Sequence, residues 1–454
     1  VNNHNSENQL VQSVMKKLQE ENKEALSFLL DELQPYDFAY LYKTLPNKER
    51  NLFLLSLNIN QIADLIEELE ERELQLDTIS KLGFEKKGMV LDEMDNDDLA
   101  ALLEALPPEL VEDLLIGMKS EESEAVQQLM SYPPETAGRL MTNRFVWISE
   151  NHTVRQTVDK IKIFAEYSET INYIYVIDSS KKLIGVVSYR DIILADINAQ
   201  ITDIMHERVI SVPVNMDQEQ VANIFERYDF LAMPVVDDNF VLRGIITFDD
   251  IIDVVIQEAN EDIEKLSASG KSIDFDTKAM VAAYRRLPWL ILLLFIGIIS
   301  GSIISGFEDT LEKVVALAFF MPMIAGMTGN TGTQSLAVVV RGLASREIDK
   351  VVVRKVILRE FGVGLLIGLI CSVLISIIAY VWQDGDMVLS LVVGSSLFLT
   401  LVIGTLTGTI IPLILYRYKI DPAIASGPLI TTINDIFSLV TYFGLATLFI
   451  RYLL

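Results

Sequence analysis

The stretch YIYVIDSSKKLIGVVSYRDII (173–193) reappears as AMPVVDDNFVLRGIITFDDII (232–252), and this duplication divides the chain. Asp178 matches Asp237, Gly185 matches Gly244 and Asp191 matches Asp250 at one constant offset. Each copy reads as an apolar run, a polar turn, a second apolar run containing a glycine, and the polar start of a helix. A second shared phrase opens each unit: Leu140-Met141-Thr142 against Ile204-Met205-His206. The pattern predicts two copies of a βαββα-like module, over 138–200 and 201–254.

Towards the N-terminus the period changes. Across 10–135, apolar residues recur at spacings of three and four, as at Ile62, Leu65, Ile66 and Leu69. Pro35, Pro46, Gly83 and Pro107-Pro108 break the run into short helices, with no strict repeat. Towards the C-terminus, 249–268 reads as one acidic amphipathic helix, followed by a short linker. Five apolar stretches come next, at about 288–306, 314–340, 357–381, 388–415 and 424–450, each long enough for a ~17–25-residue span. The expected fold is multidomain. It comprises an α-helical superhelix (1–137), an α/β tandem pair (138–254), a connecting helix and linker (255–284), and an all-α five-helix transmembrane domain (285–454).

The charge follows the same division. Residues 285–454 hold 12 basic and 10 acidic groups, a net of +2. The remaining 25 basic and 53 acidic groups give residues 1–284 a net of −28. Such a surface repels nucleic acid and attracts cations, or serves solubility alone. The basic connections (Arg285 and Arg286; Arg341, Arg346, Lys350, Arg354, Lys355 and Arg359; Arg417 and Lys419) place the N-terminal part in the cytosol and the C-terminus outside. The polar N-terminus predicts no cleaved signal peptide. The single cysteine, Cys371, excludes an internal disulfide. No nucleophile–base constellation or P-loop points to an enzyme.

Two features break the apolar spans. In GPLITTINDIFSLVTYFGLA (427–446), Asp435 lies near mid-bilayer, where an ionised Asp costs roughly 2.5–3.5 kcal/mol. It serves either an ion pathway or a pairing between helices, yet no Lys, Arg or His lies in the apolar core of a span. In PMIAGMTGNTGTQSLAVVV (322–340), the run from Gly326 to Ser335 is expected to interrupt the helix and free carbonyl oxygens. Close packing of small residues is the alternative. Both features offer only oxygen ligands, since His4, His152 and His206 lie outside the spans. Oxygen-only ligation suits Mg²⁺, Ca²⁺ or Mn²⁺, and Mg²⁺ is commonly held by one or two carboxylates with its waters retained. One Asp per chain fits a symmetric pair in a homodimer.

With these motifs in place, the chain resembles the MgtE family of Mg²⁺ channels along its whole length. The repeated module resembles a tandem CBS pair, and PMIAGMTGNTGTQ and DPAIASGPLITTINDI are the family's membrane phrases. The resemblance implies a Mg²⁺-selective channel gated by cytosolic Mg²⁺, in which Asp435, Thr431 and Gly329 form the pore site. It implies regulatory metal ligands at Asp64 and Asp97 in the N domain, with Ala101 replacing a further acid. It extends them to Asp217, Glu219, Asp229, Asp250 and Asp253 in the CBS pair. Glu258, Glu261 and Asp262 on the connecting "plug" helix complete the set, facing Asp421 of the last cytosolic loop. Read singly, each of these acids is equally a solvated helix face. Some members bind ATP between the CBS modules, and the matching positions are Tyr173, Arg190, Asp191, Phe230 and Pro234; CBS pairs without nucleotide are also common. Implied partners are a second copy of the chain, the bilayer of the cell membrane, Mg²⁺ and ATP. Two other readings stay open: an ion-coupled carrier for Mg²⁺, Mn²⁺ or Co²⁺, and a membrane-anchored CBS sensor without transport.

Overall fold

In the computed structural model the described residues are all except 1–2, 21–22, 70, 105, 166, 269–272, 274–276, 345–348 and 454. Arg346 and most of the linker before the spans therefore lie outside them. The chain forms two compact units, 1–255 and 256–454.

The first unit opens with ten helices: α1 (Asn3–Gln19), α2 (Lys23–Leu30), α3 (Pro35–Thr44), α4 (Asn47–Ser56), α5 (Ile59–Glu67), α6 (Arg72–Ser80), α7 (Phe84–Glu93), α8 (Asn96–Leu103), α9 (Pro108–Leu115) and α10 (Ser120–Met130). Most are too short to be stable alone in water, where roughly 12–15 residues are needed. Local signals start them. Pro35 and Pro108 sit in the first turn of α3 and α9. The Asn58 side chain accepts from the Gln61 N–H at 2.9 Å, and the Asn58 N–H donates back to the Gln61 side chain at 3.1 Å. Packing then holds them: Ile62, Leu65, Ile66, Leu91, Leu99 and Leu103 are buried in one apolar core.

The duplicated segments form two three-stranded sheets. β1 (Phe145–Ser149), β2 (Thr170–Ile177) and β3 (Leu183–Ser188) make the first; β4 (Val212–Pro213), β5 (Ala232–Val236) and β6 (Leu242–Thr247) make the second. In each, a parallel pair is followed by an antiparallel hairpin. The matched residues do matched work. The Asp178 carboxylate accepts from Ser180 N (2.7 Å) and Lys182 N (2.9 Å), and Asp237 from Asn239 N (2.8 Å) and Val241 N (3.0 Å). Each aspartate thus closes its hairpin. Asp191 and Asp250 each accept a hydroxyl bond from the residue that precedes a helix, Ser188 (2.6 Å) or Thr247 (2.5 Å). Helices α11 (Ala137–Leu140), α12 (Val154–Phe164), α13 (Tyr189–Leu194) and α14 (Gln218–Tyr228) cover the sheets.

The opening phrases explain the matched glycines. A Cβ at Gly244 would lie 2.6 Å from the Thr142 carbonyl and 2.7 Å from Met141 Sδ, and one at Gly185 would lie 2.5 Å from Met205 Sδ. Thr142 exchanges both backbone bonds with Ile245, and His206 exchanges both with Val186. Each phrase therefore docks on the sheet of the other module, and the two modules interlock.

α15 (Phe248–Leu266) leaves β6 and runs across the boundary of the two units. The second unit contains α16 (Ala279–Gly306), α17 (Glu308–Lys313), α18 (Leu317–Ala344), α19 (Lys350–Trp382), α20 (Met387–Arg417), α21 (Gly427–Leu448) and α22 (Ile450–Leu453). Among the described residues, α16, α19, α20 and α21 are long and apolar enough to cross a membrane. The second expected span, α18, is as long as α16 at 28 residues but is not among those four. Its middle holds Thr328, Asn330, Thr331, Thr333, Gln334 and Ser335.

That polar run was expected to break the helix, and it does not: α18 is helical from Leu317 to Ala344. The reason is local. Thr328, Thr331 and Thr333 turn their hydroxyls back to the carbonyls of Ile324, Met327 and Asn330 at 2.7–2.9 Å. The carbonyls remain in the helix, so this run frees no ladder of backbone oxygens. Packing accounts for Gly329 and Gly332 instead, as α18 lies against both α20 and α21; a Cβ on Gly326 would meet nothing within 4 Å.

Gly244→Ala is expected to lower the stability of the interlocked pair by about 1–3 kcal/mol, because the Thr142 carbonyl it meets is backbone and cannot rotate away. Gly83→Ala, whose Cβ would meet nothing within 4 Å, serves as control. Thermal melts of the detergent-solubilised chain should show a lower first transition for the former only.

Candidate functional site

At membrane depth, α18 and α21 bring two of the three expected pore residues together. A Cβ on Gly329 would touch the Thr431 methyl at 3.2 Å. Asp435 lies four residues beyond Thr431 on the same helix face. It is half-buried, and among the described residues its carboxylate has no hydrogen-bond or ion-pair partner. On α18, Gly326, Asn330 and Gln334 form an exposed stripe at intervals of four, while Thr328, Thr331, Gly332 and Ser335 are buried. Amide side chains exposed in mid-span suit a wet path better than lipid.

A second carboxylate was not anticipated. Glu360 on α19 is 5% exposed. It accepts from the Ser335 hydroxyl of α18 (3.0 Å) and from Arg359 Nε (3.1 Å) and Nη2 (2.9 Å). Arg359 had been counted only as a loop charge. Its neighbour in sequence, a Glu at the start of an apolar stretch, was the available signal. Arg359 is thereby committed to Glu360 and is not a partner for Asp435.

The cytosolic acids fall into separate groups. In the first unit, carboxylate oxygens of Glu67 on α5, and of Asp95 and Asp98 around the start of α8, lie within 4.8 Å of one another. Asp97 is buried and its Oδ1 has no hydrogen-bond partner. Burial, then Asp250 and Asp98, push its carboxyl well above the usual range. Burial likewise raises Glu67 and Glu169 to about 8, Asp98 to about 7 and Asp250 to about 6, with neighbouring carboxylates adding to the rise. Asp64 is raised by burial, Asp95 and Glu68. Of the expected ligands, Asp64, Asp97, Asp250 and Asp253 therefore belong to this nest. Glu67, Asp95, Asp98 and Glu169 join it without having been singled out. The donors are hard oxygens, and two buried ones, Asp97 Oδ1 and Glu169 Oε2, lack a hydrogen-bond partner among the described residues, so the residues present fit Mg²⁺.

One cation already reaches this nest. Arg144 donates to Asp95 Oδ1 (3.1 Å) and to the carbonyls of Glu93 and Asp92 (both 3.0 Å), and lies 3.7 Å from Glu122. It ties the end of α7 and the start of α8 to the first opening phrase.

The remaining expected ligands divide between local duties and a further cluster. Asp217 caps α14 by accepting from Glu219 N (3.1 Å) and Gln220 N (3.4 Å), while Asp229 ends the same helix in the left-handed conformation (φ 53°). Twelve residue steps along the helix hold Asp217 and Asp229 about 18 Å apart, so this chain alone does not bring Asp229 to Asp217 and Glu219. In the second unit, Lys265 of α15 bonds both Glu261 and Asp421 at 2.5 Å. Burial and Asp421 raise the neighbouring Asp262. Glu258 lies one turn before Asp262 on the same helix.

The nucleotide set is only partly gathered. Tyr173 packs with Tyr175, Ala232 and Ile245 where β2 meets β5. Pro234 pairs with Ile245 on β6. Asp191 is held by Ser188 and lies 3.7 Å from His206 Nε2, with Arg190 beside it at the start of α13. Phe230 instead stacks on Tyr228 at 5.4 Å and packs against the large N-terminal core.

Comparison with known proteins agrees with this division. Residues 33–135 match the MgtE intracellular N domain, 137–198 and 201–257 match CBS domains, and 321–445 match the MgtE divalent cation transporter family. A magnesium transporter MgtE of Bacillus subtilis is 60% identical over 93% of this chain and 93% of its own length. One from Thermus thermophilus is 38% identical over 98% and 99%. Among solved structures, the soluble part of a magnesium transporter superposes with a TM-score of 0.54 at 36% identity, over 56% of this chain and 99% of that one. The cytosolic domain of the Mg²⁺ channel MgtE in complex with ATP gives 0.51 at 33%, over 54% and 99%.

The raised carboxyls set a sign for pH. Each keeps its proton in the folded nest to a higher pH than in the unfolded chain, where Asp and Glu ionise near 3.8 and 4.5. The penalty on the fold therefore grows as pH climbs from those values to about 8, the folded value of Glu67 and Glu169. In divalent-free buffer the first melting transition should fall between pH 5 and pH 8, about the span of those shifts. Millimolar Mg²⁺ should restore it at the upper end. A pH-independent transition would show that the carboxyls are solvated.

Proposed function

The chain belongs to the MgtE family of magnesium transporters, and from that membership we propose that it is a Mg²⁺-selective channel closed by cytosolic Mg²⁺. It is a membrane transport protein rather than an enzyme, with cytosolic N-terminal domains and C-terminal membrane helices. The proposed membrane is the cell membrane, with the C-terminus outside and the ion moving inwards.

The observation that carries the pathway is Asp435: a half-buried carboxylate in an apolar helix, without a protein partner among the described residues, one turn from Thr431 where Gly329 abuts it. Bound divalent cation supplies the missing countercharge. Because α18 stays helical, Gly329 contributes close approach rather than a freed carbonyl, and the ligands are the Asp435 carboxylate with the ion's own waters. A symmetric pair of chains doubles the carboxylate, which supports a homodimer.

Gating follows from charge. The nest around Asp97 and the group around Asp421 hold acids that repel one another when ionised. Mg²⁺ bound there offsets the repulsion and favours the compact arrangement. The residues' part is to pack when neutralised and to separate when not, so the ion's differential affinity for the two arrangements sets the threshold. ATP is proposed as a second regulatory ligand of the CBS pair. A relative's cytosolic domain is described in complex with ATP, and Tyr173 on β2 and Asp191 in the first turn of α13 are the positions proposed to meet it.

Purified chain in liposomes tests this directly. Mg²⁺ uptake should proceed down its own gradient and be unaffected by an imposed proton or sodium gradient. Asp435→Ala should abolish uptake while leaving the elution profile in detergent unchanged. Uptake that tracks the proton gradient would make the protein a carrier, and wild-type uptake in Asp435→Ala would make that residue structural.

A further inference from the structure

Next to Asp435 on α21, Asn434 is fully buried, although it lies in a membrane helix. Its Nδ2 donates to the Thr328 carbonyl of α18 at 3.4 Å, and its Oδ1 is buried without a partner. Room for this amide is made by a glycine: a Cβ on Gly332 would overlap Asn434 Nδ2. The same stretch of α18 presses on α20. A Cβ on Gly404 would lie 2.8 Å from the Thr328 carbonyl, and one on Gly408 would overlap the Gly332 carbonyl. The stretch of α18 that receives the amide is thus also the stretch packed on α20.

Stability does not explain that arrangement. A buried amide with an unpaired oxygen is a net cost, and an apolar side chain of similar shape removes it. A hydrogen bond is directional, however, whereas apolar contacts tolerate sliding and rotation. Ile430, Asn434, Ser438 and Tyr442 form the buried face of α21 at intervals of four. Successive residues on a helix point about 100° apart. Fixing Asn434 against α18 therefore fixes the direction of Asp435 on the adjoining, half-buried face.

We propose that Asn434 is a positioning residue for the ion pathway: its amide, seated in the Gly332 notch, sets the rotation of α21 and so aims Asp435. This rests on the reading of Asp435 as the pathway carboxylate.

The test compares wild type, Asn434→Leu, Gly332→Ala and Asp435→Ala as full-length protein in liposomes, with initial Mg²⁺ uptake measured against Mg²⁺ concentration. Asn434→Leu should raise the half-saturating concentration about tenfold with the maximal rate held within about twofold, the split that marks lost ion binding rather than lost protein. Its melting temperature should be unchanged or higher. Gly332→Ala, which displaces the amide while retaining it, should shift half-saturation the same way. Unchanged half-saturation in Asn434→Leu, with uptake abolished in Asp435→Ala, would overturn the inference and leave the pathway reading standing. Wild-type uptake in Asp435→Ala would remove the pathway reading itself. Should Asn434→Leu fail to fold, Asn434→Ala, which adds no bulk, is judged by the same criteria.

Discussion

An ionised carboxylate inside an apolar helix has to find countercharge within reach, and the membrane unit is arranged around that requirement. Glu360 meets it within the chain, through Arg359 and the Ser335 hydroxyl. Asp435 does not among the described residues, and its half-buried side chain adjoins the contact between α18 and α21. The two acids therefore have different physical roles. One is neutralised in place and ties α18 to α19. In the proposed pathway the other leaves its charge to the transported cation, at a cost the surrounding packing must cover.

That packing is bought with small residues. Gly332, Gly404 and Gly408 let backbones of α18 and α20 approach to where a side chain would not fit. Hydrophobic burial gives no net drive between helices in lipid, so close contact and polar bonds carry the association. α18 can be too polar for lipid because Thr328, Thr331 and Ser335 are buried against its neighbours and satisfied by its own carbonyls or by Glu360.

How much of this was legible in the sequence follows from the range of each interaction. Asp178 and Asp237, and Asp191 and Asp250, were readable because each acts within a hairpin or a helix start and the duplication shows it twice; the matched glycines were visible only as a repeat, since what crowds them comes from the other module. That the opening phrases dock on the opposite module was not, because pattern along one segment carries no information about which sheet edge it meets. The unbroken α18 was misread for a related reason. A run of Gly, Thr and Asn weakens helix propensity, yet threonine hydroxyls bonded back to the helix and contacts with two neighbouring helices override it. Glu360, Lys265 and Arg144 were passed over because each looks like an ordinary surface charge until its partner is placed.

Those cations bear on how a highly acidic protein can respond to an ion at all. Arg144 already bridges acids and helix-end carbonyls in the first unit, and Lys265 already joins Glu261 to Asp421 in the second. A tethered cation holds each group partly assembled, so in the proposed gating Mg²⁺ has to supply only the remaining differential. Moving a two-state equilibrium from 1:99 to 99:1 takes about 5.5 kcal/mol in all. Divided among several acidic groups, that is a modest contribution from each, consistent with weak sites that fill together. The tethered charges would then set the threshold, and the number of acids beside them would set the steepness. An acid-rich unit without them would stay open until the ion concentration was far higher.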